Sequence, residues 1–387
     1  MTQSIAARPT AQIIPLFAAI AGLILIALLR PGPVTLQSLG LVGLGALAGL
    51  ALYHASFGFA GGWKRFILLG DGRGLRAQAL LIALILPASH ALIASGMAGG
   101  YVVPLGAALV LGAFLFGIGM QLAGGCGSGT LFTAGGGSSR MVLVLAAFVA
   151  GSVIGTAPGL SGAGWPSLPP VSALRSLGPL PAVLIGWAVL ALIVALSLRV
   201  ERARGFQPDP VQTDWRRGPW PKWGGAVMLA LVAIGTFVVA GRPWGITQAF
   251  ALWGAKLVQI AGVDVASWPY WQGGRAAQLV GPVLADTTTV MDLALMAGAM
   301  AAAALAGRYR PRLRMSVTEV ITAILGGVLM GYGARLSSGC NIGALLGGIT
   351  SGSLHGWVWG LAAFAGSASW LRFSRHMSDM RGQNAPS

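Results

Sequence analysis

One stretch occurs twice in this chain of 387 residues, and the rest of the sequence is organised around it. The first copy, at positions 111–131, is LGAFLFGIGMQLAGGCGSGTL, and the second, at positions 325–345, is LGGVLMGYGARLSSGCNIGAL. A shift of 214 positions (340 − 126) aligns ten identical residues in 21 without a gap. The same shift places Cys126 on Cys340, and these are the only two cysteines of the chain. The pattern indicates a true internal repeat.

The composition is that of a membrane protein. Hydrophobic residues make up 55% of the chain and charged residues only 9%, with a mean hydropathy of +0.77. Typical soluble domains carry about 25% charged residues. We therefore expect an all-α polytopic membrane protein embedded in a lipid bilayer. The net charge of +16 does not indicate nucleic-acid binding, because the positive residues lie in short loops between apolar segments.

Ten apolar segments are predicted to cross the bilayer, whose ~30 Å hydrocarbon core requires roughly 20 helical residues. Two further apolar pieces, 55–63 and 246–262, are shorter or interrupted. The first segment is expected to be retained as a span, because no small-residue cleavage site follows it. The predicted spans are 11–29, 34–53, 77–96, 104–122, 141–157, 181–198, 224–240, 290–307, 315–333 and 355–371.

Lysine and arginine determine the predicted orientation. They crowd residues 64–76, 199–222 and 308–314 and the C-terminal tail, whereas the other long loops carry at most one each. The positive-inside rule places the basic loops and both termini in the cytoplasm of a bacterial inner membrane protein. Span 77–96 then runs outward and its repeat partner, about 291–310, runs inward. The two halves are therefore predicted to form an inverted repeat of about five spans each.

The predicted domains follow from this repeat. Residues 1–157 form the first inverted repeat with a re-entrant loop at Cys126, and residues 158–387 form the second with a re-entrant loop at Cys340. A basic cytoplasmic linker is expected near 199–222. The glycines around each cysteine disfavour a continuous helix, and irregular backbone at membrane depth requires protein or a water-filled cavity around it. The two loops or half-helices are expected to meet near the midplane, giving an hourglass-like architecture.

The cysteine turns are the candidate site. A single cysteine in a membrane span is usually a small buried apolar residue. Two repeat-related cysteines in broken backbone favour a function instead, because a thiol is soft and donates a weak hydrogen bond. Half-helix N-termini add N–H donors for an anion, which suggests passage of a sulfur oxyanion or a reduced sulfur species. The expected substrate path comprises Cys126, Cys340, Gly125, Gly127, Ser128, Gly339, Asn341, Gln121 and Arg335.

Several polar residues near the cysteines have two interpretations. Gln121 and Arg335 occupy matching positions, five residues before their cysteines. A charged residue at the centre of a membrane helix costs ~2.5–3.5 kcal/mol, so Arg335 either attracts the anion or extends to an interface. Asn341 and the neighbouring serines either hydrogen-bond the substrate or cap the loops. Asp292 aligns with Gln78 under the same shift and is expected near a span end, where water reaches it.

Neither an enzyme signature nor a nucleotide-binding loop is present in the sequence. We therefore expect no catalytic residue, metal site or cofactor, and transport that is passive, gradient-coupled or dependent on a partner. Two other classes of function remain open. One is a transporter of an unrelated solute in which the cysteines only pack. The other is a membrane subunit of a sulfurtransferase or redox system whose thiols carry sulfur covalently.

The stretches Gly125-Cys126 and Ser338-Gly-Cys-Asn-Ile-Gly343 resemble the YeeE/YedE family of sulfur-transport membrane proteins, the thiosulfate-uptake group. The resemblance implies an hourglass fold with a central constriction and thiosulfate as the imported ion, which Cys126 and Cys340 contact transiently. It also implies a small sulfur-carrier protein as a cytoplasmic partner. Thiosulfate transporters of the group can have a further cysteine in the short segment of the first half. Here that region is Phe57-Gly-Phe-Ala-Gly-Gly-Trp63, which leaves another sulfur or selenium compound as the alternative substrate.

Overall fold

The structure is a computed structural model that describes residues 11–207 and 213–383. Apart from an antiparallel pair of two-residue strands, β1 (Leu105–Gly106) and β2 (Ser167–Leu168), the described regular elements are helical. Short 3₁₀ helices lie between residues 265 and 285, and a π-helical turn spans Asn341–Leu346. The α-helices in chain order are α1 (Ile13–Leu29), α2 (Leu36–His54), α3 (Phe59–Leu69), α4 (Arg73–Ala94), α5 (Ala107–Ala123), α6 (Gly127–Gly135), α7 (Ser139–Ile154), α8 (Ala173–Leu177), α9 (Pro179–Ala203), α10 (Lys222–Ala240), α11 (Ile246–Ile260), α12 (Ala276–Val280), α13 (Thr287–Leu305), α14 (Val317–Leu336), α15 (Gly347–Thr350) and α16 (Leu354–Gln383).

Apolar helices long enough to cross a bilayer dominate the described residues. Seven such helical segments are present, and α1 and α7 are shorter apolar helices. The protein is therefore an all-α multi-pass membrane protein, as its composition predicts. The number of ten spans stays a prediction. The seven segments are Leu36–Leu69, Arg73–Ala94, Ala107–Gly135, Pro179–Ala203, Lys222–Ala240, Thr287–Leu305 and Val317–Thr350.

Local capping moves several helix ends away from the predicted limits. Helix α13 begins at Thr287, before the predicted 290, because the Asp286 side chain accepts a hydrogen bond from Thr289 N. Helix α9 continues to Ala203, so the predicted linker at 199–222 begins inside a helix rather than in a loop. The pieces that the sequence marks as short or interrupted form α3 and α11, which contain 11 and 15 residues.

Glycines on both partners let the central helices approach closely. At the crossing of α2 and α13, a β-carbon added to Gly49 would stand 2.0 Å from Leu295 O, and one added to Gly298 would stand 2.1 Å from Ala46 O. Such contacts leave no room for a side chain, which is how small residues promote helix packing in membranes. Glycines also permit close approach at two other crossings. Gly117 and Gly366 lie where α5 crosses α16, and Gly151 and Gly331 lie where α7 crosses α14.

An ion-pair cluster joins the α3–α4 turn to the end of α9. Asp71 is 3% exposed and accepts from Arg65 Nε at 2.7 Å and from Arg73 Nε at 2.9 Å. Beside it, Arg76 Nη1 lies 3.0 Å from Glu201 Oε2. Two of the basic regions that the sequence assigns to one side of the membrane are therefore in direct contact.

Candidate functional site

The first cysteine lies where two helices are separated by a sharp turn. Helix α5 ends at Ala123, Gly124 adopts a left-handed conformation with φ of 80°, and Cys126 is the extended residue before α6. The Cys126 sulfur accepts a hydrogen bond from Gly129 N at 3.4 Å and lies 3.6 Å from Ser128 Oγ. Cys126 is thus the N-cap of a short helix, and its sulfur accepts from the N–H of the third helical residue.

The second cysteine lies in an equivalent break with a more strained backbone. Helix α14 ends at Leu336, and Ser338 and Gly339 have φ of 62° and 150°, values that favour glycine. Cys340 is extended and precedes the π-helical turn. The Tyr101 hydroxyl donates to Ser338 O at 2.6 Å. Desolvation by burial raises the pKa of Tyr101, so this hydroxyl remains a donor at neutral pH.

The two breaks touch each other. Both cysteines are 0% exposed, and a β-carbon built on Gly127 would stand 3.2 Å from the Cys340 sulfur. Helix α6 also packs against the π-helical turn. The structure therefore brings together Cys126, Gly127, Ser128, Gly339, Cys340 and Asn341 of the sequence-predicted residues, with Gly125 at the start of the first turn.

Gln121 and Arg335, which occupy matching positions of the internal repeat, each donate to a backbone carbonyl of a different segment. Gln121 Nε2 donates to Ala60 O at 3.2 Å at the start of α3. Arg335 Nη2 donates to Thr247 O at 2.8 Å and to Thr247 Oγ1 at 2.9 Å at the start of α11. Arg335 is 8% exposed, so it does not extend to an interface. None of the ion pairs among the described residues involves its guanidinium.

Two other polar side chains are buried without full hydrogen bonding. Asn341 is 1% exposed, and neither its Oδ1 nor its Nδ2 has a partner within the described part of the chain. Asp292 is 0% exposed and accepts from Trp244 Nε1 at 3.0 Å, whereas its Oδ2 has no partner there either. The prediction that water reaches Asp292 near a span end is therefore wrong, because the α2, α11 and α6 contacts of α13 enclose this helix. Buried polar atoms of this kind require an explanation, and a ligand is one.

A cavity of ≈ 300 Å³ lies beside the second break, and we name it the polar cavity because five polar side chains stand among its otherwise apolar wall. Gly339 and Ser338 form part of its wall, together with Tyr101 and Arg242. Arg242 Nη2 is 3.2 Å from Thr288 Oγ1. A smaller cavity of ≈ 40 Å³ has a mostly apolar wall and reaches Ser128. Neither of these two cavities has a cysteine in its wall.

Several residues of this site were not predicted. Tyr101 and residues 242–248 lie far from the cysteines in the sequence, and their loops carry no motif. Arg242 is the one feature of the sequence that indicates a polar site there, because it is a single cation between two apolar segments.

Comparison with known proteins gives the family. The family model described as sulphur transport matches residues 54–369. The thiosulfate transporter TsuA of Escherichia coli K12 is 26% identical over 353 residues, which is 86% of this chain and 93% of that protein. TsuA of Spirochaeta thermophila is 27% identical over 295 residues, 69% of this chain and 78% of that protein.

A second group of relatives matches a shorter stretch. The probable transporter YedE of Escherichia coli K12 is 32% identical over 155 residues, covering 40% of this chain and 38% of YedE. The chain thus matches less than half of the length of this relative. The sulphur transport family model, in contrast, extends over both cysteine turns and most of the helices. The chain therefore belongs to the sulphur transport family, a family of transporters of sulfur compounds and not of enzymes.

Proposed function

We propose that this protein imports thiosulfate across the bacterial inner membrane, past the thiols of Cys126 and Cys340. The observation that carries the proposal is the contact of the two cysteine turns, with the Cys340 sulfur 3.2 Å from the β-carbon position of Gly127. The similarity to thiosulfate transporters over 86% of the chain supports the same substrate. A thiol donates weak hydrogen bonds and is polarisable, which suits the terminal sulfur of this ion.

The proposed route begins in the ≈ 300 Å³ polar cavity. Arg242 and the buried Arg335 give this end a positive field, which attracts an anion. The ion then passes Cys340 and Asn341, and next Cys126 with Ser128. At the opposite end Gln121 takes the place of an arginine, and Arg140, which donates to Leu122 O, supplies the positive charge beside the first turn.

Two inverted halves, residues 1–157 and 158–387, provide this arrangement in our proposal. Helix contacts support it because they occur in pairs. Helix α5 packs on α16 and α14 on α7, while α4 packs on α10 and α13 on α2. Helix α1 lies against α13 and α9 against α4 in the same way. The helices that follow Cys126 and Cys340 are both short, as expected for re-entrant segments that meet at the midplane.

The termini and the basic regions lie on the cytoplasmic side in this proposal. The contact between residues 64–76 and the end of α9 supports a common side for two of these regions, since Arg204 Nη1 also donates to Ile67 O at 2.9 Å. A small sulfur-carrier protein would receive the ion on this side. The exposed arginines there would favour an acidic surface on such a partner.

A second sulfur compound is the alternative substrate, and one observation favours it. The start of α3 carries Phe57, Phe59 and Trp63, all of them buried, where thiosulfate transporters of the group can carry a further thiol. A route with only two thiols would then suit an ion that makes fewer contacts to sulfur than thiosulfate does.

Uptake of ³⁵S-labelled thiosulfate into cells that lack other thiosulfate importers tests the proposal. We expect wild-type protein to support uptake and growth on thiosulfate as the sole sulfur source. We expect Cys126→Ser and Cys340→Ser to reduce uptake about tenfold or more, since serine keeps the size but loses the soft donor. Ser367→Ala is the control, because it removes a buried hydrogen bond to Gly117 O outside the cysteine turns.

Three results would contradict parts of the proposal. Unchanged uptake in both cysteine variants would refute the role of the thiols. Efficient competition by a different sulfur or selenium anion, with weak competition by thiosulfate, would identify the alternative substrate. A persulfide trapped on either cysteine during turnover would indicate a sulfurtransferase and not a transporter of the intact ion.

A further inference from the structure

Residues 243–247, which we name the strap, lie across the two cysteine turns. A β-carbon on Gly347 would stand 3.4 Å from Pro243 Cβ, and one on Gly343 would stand 3.7 Å from the Cα of Gly245. At the other end of the strap, Thr247 Cγ2 lies 3.5 Å from the β-carbon position of Gly127. The strap therefore covers the helical segment after Cys340 and reaches the start of the helix after Cys126.

Hydrogen bonds fix the strap at two points. Trp244 Nε1 donates to Asp292 Oδ1 at 3.0 Å, and the Asp292 side chain is fully buried. Thr247 accepts two bonds from Arg335 Nη2, at 2.8 Å to its carbonyl and 2.9 Å to its hydroxyl. Both attachments use charged or chargeable side chains from helices that do not belong to the strap, α13 and α14.

The strap also forms part of the wall between the polar cavity and the interior. Pro243, Trp244, Gly245 and Thr247 all line the ≈ 300 Å³ cavity, and Pro243 and Trp244 line the apolar ≈ 40 Å³ cavity as well. Both thiols are 0% exposed behind it. Ser338, Gly339 and Gly343 of the second cysteine turn line the same cavity. The strap and this turn together therefore separate Cys340 from an anion in the cavity.

We propose that the strap is a gate on the transport route, and that Asp292 and Arg335 are the positioning residues that hold it closed. The proposal rests on the proposed function in one respect, namely that the thiols lie on the route of the ion. An oxyanion is a stronger partner for the Arg335 guanidinium than the neutral oxygens of Thr247 are, because the opposite charges add Coulomb attraction to the hydrogen bond. Arrival of the anion therefore favours release of Thr247 and opening of the strap.

The chain provides a matched control for the Trp244 attachment. Trp63 Nε1 donates to Gln78 Oε1 at 3.0 Å, and both residues are buried. Neither of them lines either cavity. Trp63→Phe and Trp244→Phe therefore remove the same kind of buried hydrogen bond, but only the second one frees the strap.

The test measures how fast a charged maleimide labels Cys340 in the purified full chain in detergent. Cys126→Ser serves as the background, which leaves Cys340 as the only thiol. We expect Trp244→Phe and Thr247→Val each to raise the labelling rate about fivefold, the effect of losing one hydrogen bond. We expect the labelling rate of Trp63→Phe to stay within about twofold of the background rate. Its melting temperature should fall by about as much as that of Trp244→Phe, because both variants lose one buried hydrogen bond.

Two variants of Asp292 distinguish loss of its hydrogen bond to Trp244 from a change in the packing around it. Asp292→Asn keeps the Oδ1 acceptor, so its labelling rate is expected to equal that of the background. Asp292→Leu removes the acceptor and is expected to match Trp244→Phe. Equal labelling rates in Trp244→Phe, Trp63→Phe and the background would overturn the gate. Because labelling uses no thiosulfate, a failed uptake assay with strap-dependent labelling would refute the substrate alone.

Discussion

The sulfur of Cys340 packs against Gly127, the residue that directly follows Cys126. A β-carbon at Gly127 would stand 3.2 Å from that sulfur, closer than most real contacts of this type. The two turns, 214 positions (340 − 126) apart in the sequence, therefore share a contact that is too close for a larger residue unless the Cys340 side chain shifts. This contact ties the geometry of each thiol to that of the other.

Gly127→Ala should disturb this contact. The added methyl group must displace the Cys340 sulfur, and overpacking of this kind costs ~1–3 kcal/mol. We expect a lower melting temperature and thiosulfate uptake reduced about tenfold, measured on the same preparation of cells and protein. Gly61→Ala is the control, since nothing lies within 4 Å of its β-carbon position. Equal uptake in the two variants would show that the contact does not matter.

Arg335→Gln should weaken recognition of the anion while leaving the fold intact. Glutamine occurs at the matching position 121 and donates there to a backbone carbonyl, so it can still reach Thr247 O. We expect the half-saturating thiosulfate concentration to rise about tenfold, equivalent to ~1.4 kcal/mol. Arg312→Gln removes the same charge from an exposed position and should not change it. A change of similar size in both variants would argue for a general effect of net charge.

Asp71→Asn should lower stability at neutral pH. Burial by itself would raise the pKa of Asp71, but hydrogen bonds from Arg73 and Arg65 outweigh it and hold the pKa well below its ordinary value. We expect a loss of about 1–2 kcal/mol, less than the ~3–5 kcal/mol of a fully buried pair because both arginines are partly exposed.

The pH dependence of this effect has a definite sign. A depressed folded-state pKa contributes stability above the unfolded pKa of ~3.9, and this contribution is lost as the pH falls toward the folded value. The melting-temperature difference between wild type and Asp71→Asn should therefore be constant from pH 5 to pH 7 and shrink below about pH 4. Exposed Asp264→Asn is the control. A difference that grows on acidification would contradict this assignment.

Ser338→Gly should stabilise the second cysteine turn. Ser338 has φ of 62°, and a left-handed conformation costs a non-glycine residue ~1–2 kcal/mol, partly offset by the higher entropy of unfolded glycine. We expect a net gain of about 0.5–1 kcal/mol in thermal unfolding. Ser56→Gly is the control, because Ser56 also has a positive φ, of 44°, but lies away from the thiols. A lower melting temperature for Ser338→Gly would mean that the serine side chain itself supports the turn.

The helices and the position of the two breaks could be predicted from the sequence. Helix α5 ends within one residue of the predicted 122, because glycine follows it and caps the helix in a left-handed conformation. Repetition of the cysteine turns indicated that both would interrupt helices, and the backbone does so at Cys126 and Cys340. Such features depend on local residue types, which a single sequence displays directly.

The strap and its attachments could not be predicted in this way. Trp244 and Asp292 are 48 positions (292 − 244) apart and belong to no recognisable motif, so only the packing of α11 and α13 brings them together. Arg335 has two interpretations in the sequence because the residue type alone does not show whether the guanidinium stays at membrane depth or extends to an interface. The hydrogen bond to Thr247, in a different segment, and the burial of Arg335 argue against extension to an interface, whereas attraction of the anion stays a prediction.

The complete burial of both sulfurs has a chemical consequence beyond passage of the ion. Oxidation of a cysteine begins with a thiolate that a dissolved oxidant can reach. Cys126 and Cys340 are 0% exposed, so peroxide or a stray metal ion has no direct access to either sulfur in this closed arrangement. Burial therefore protects the reduced form of the thiols that the proposed route requires.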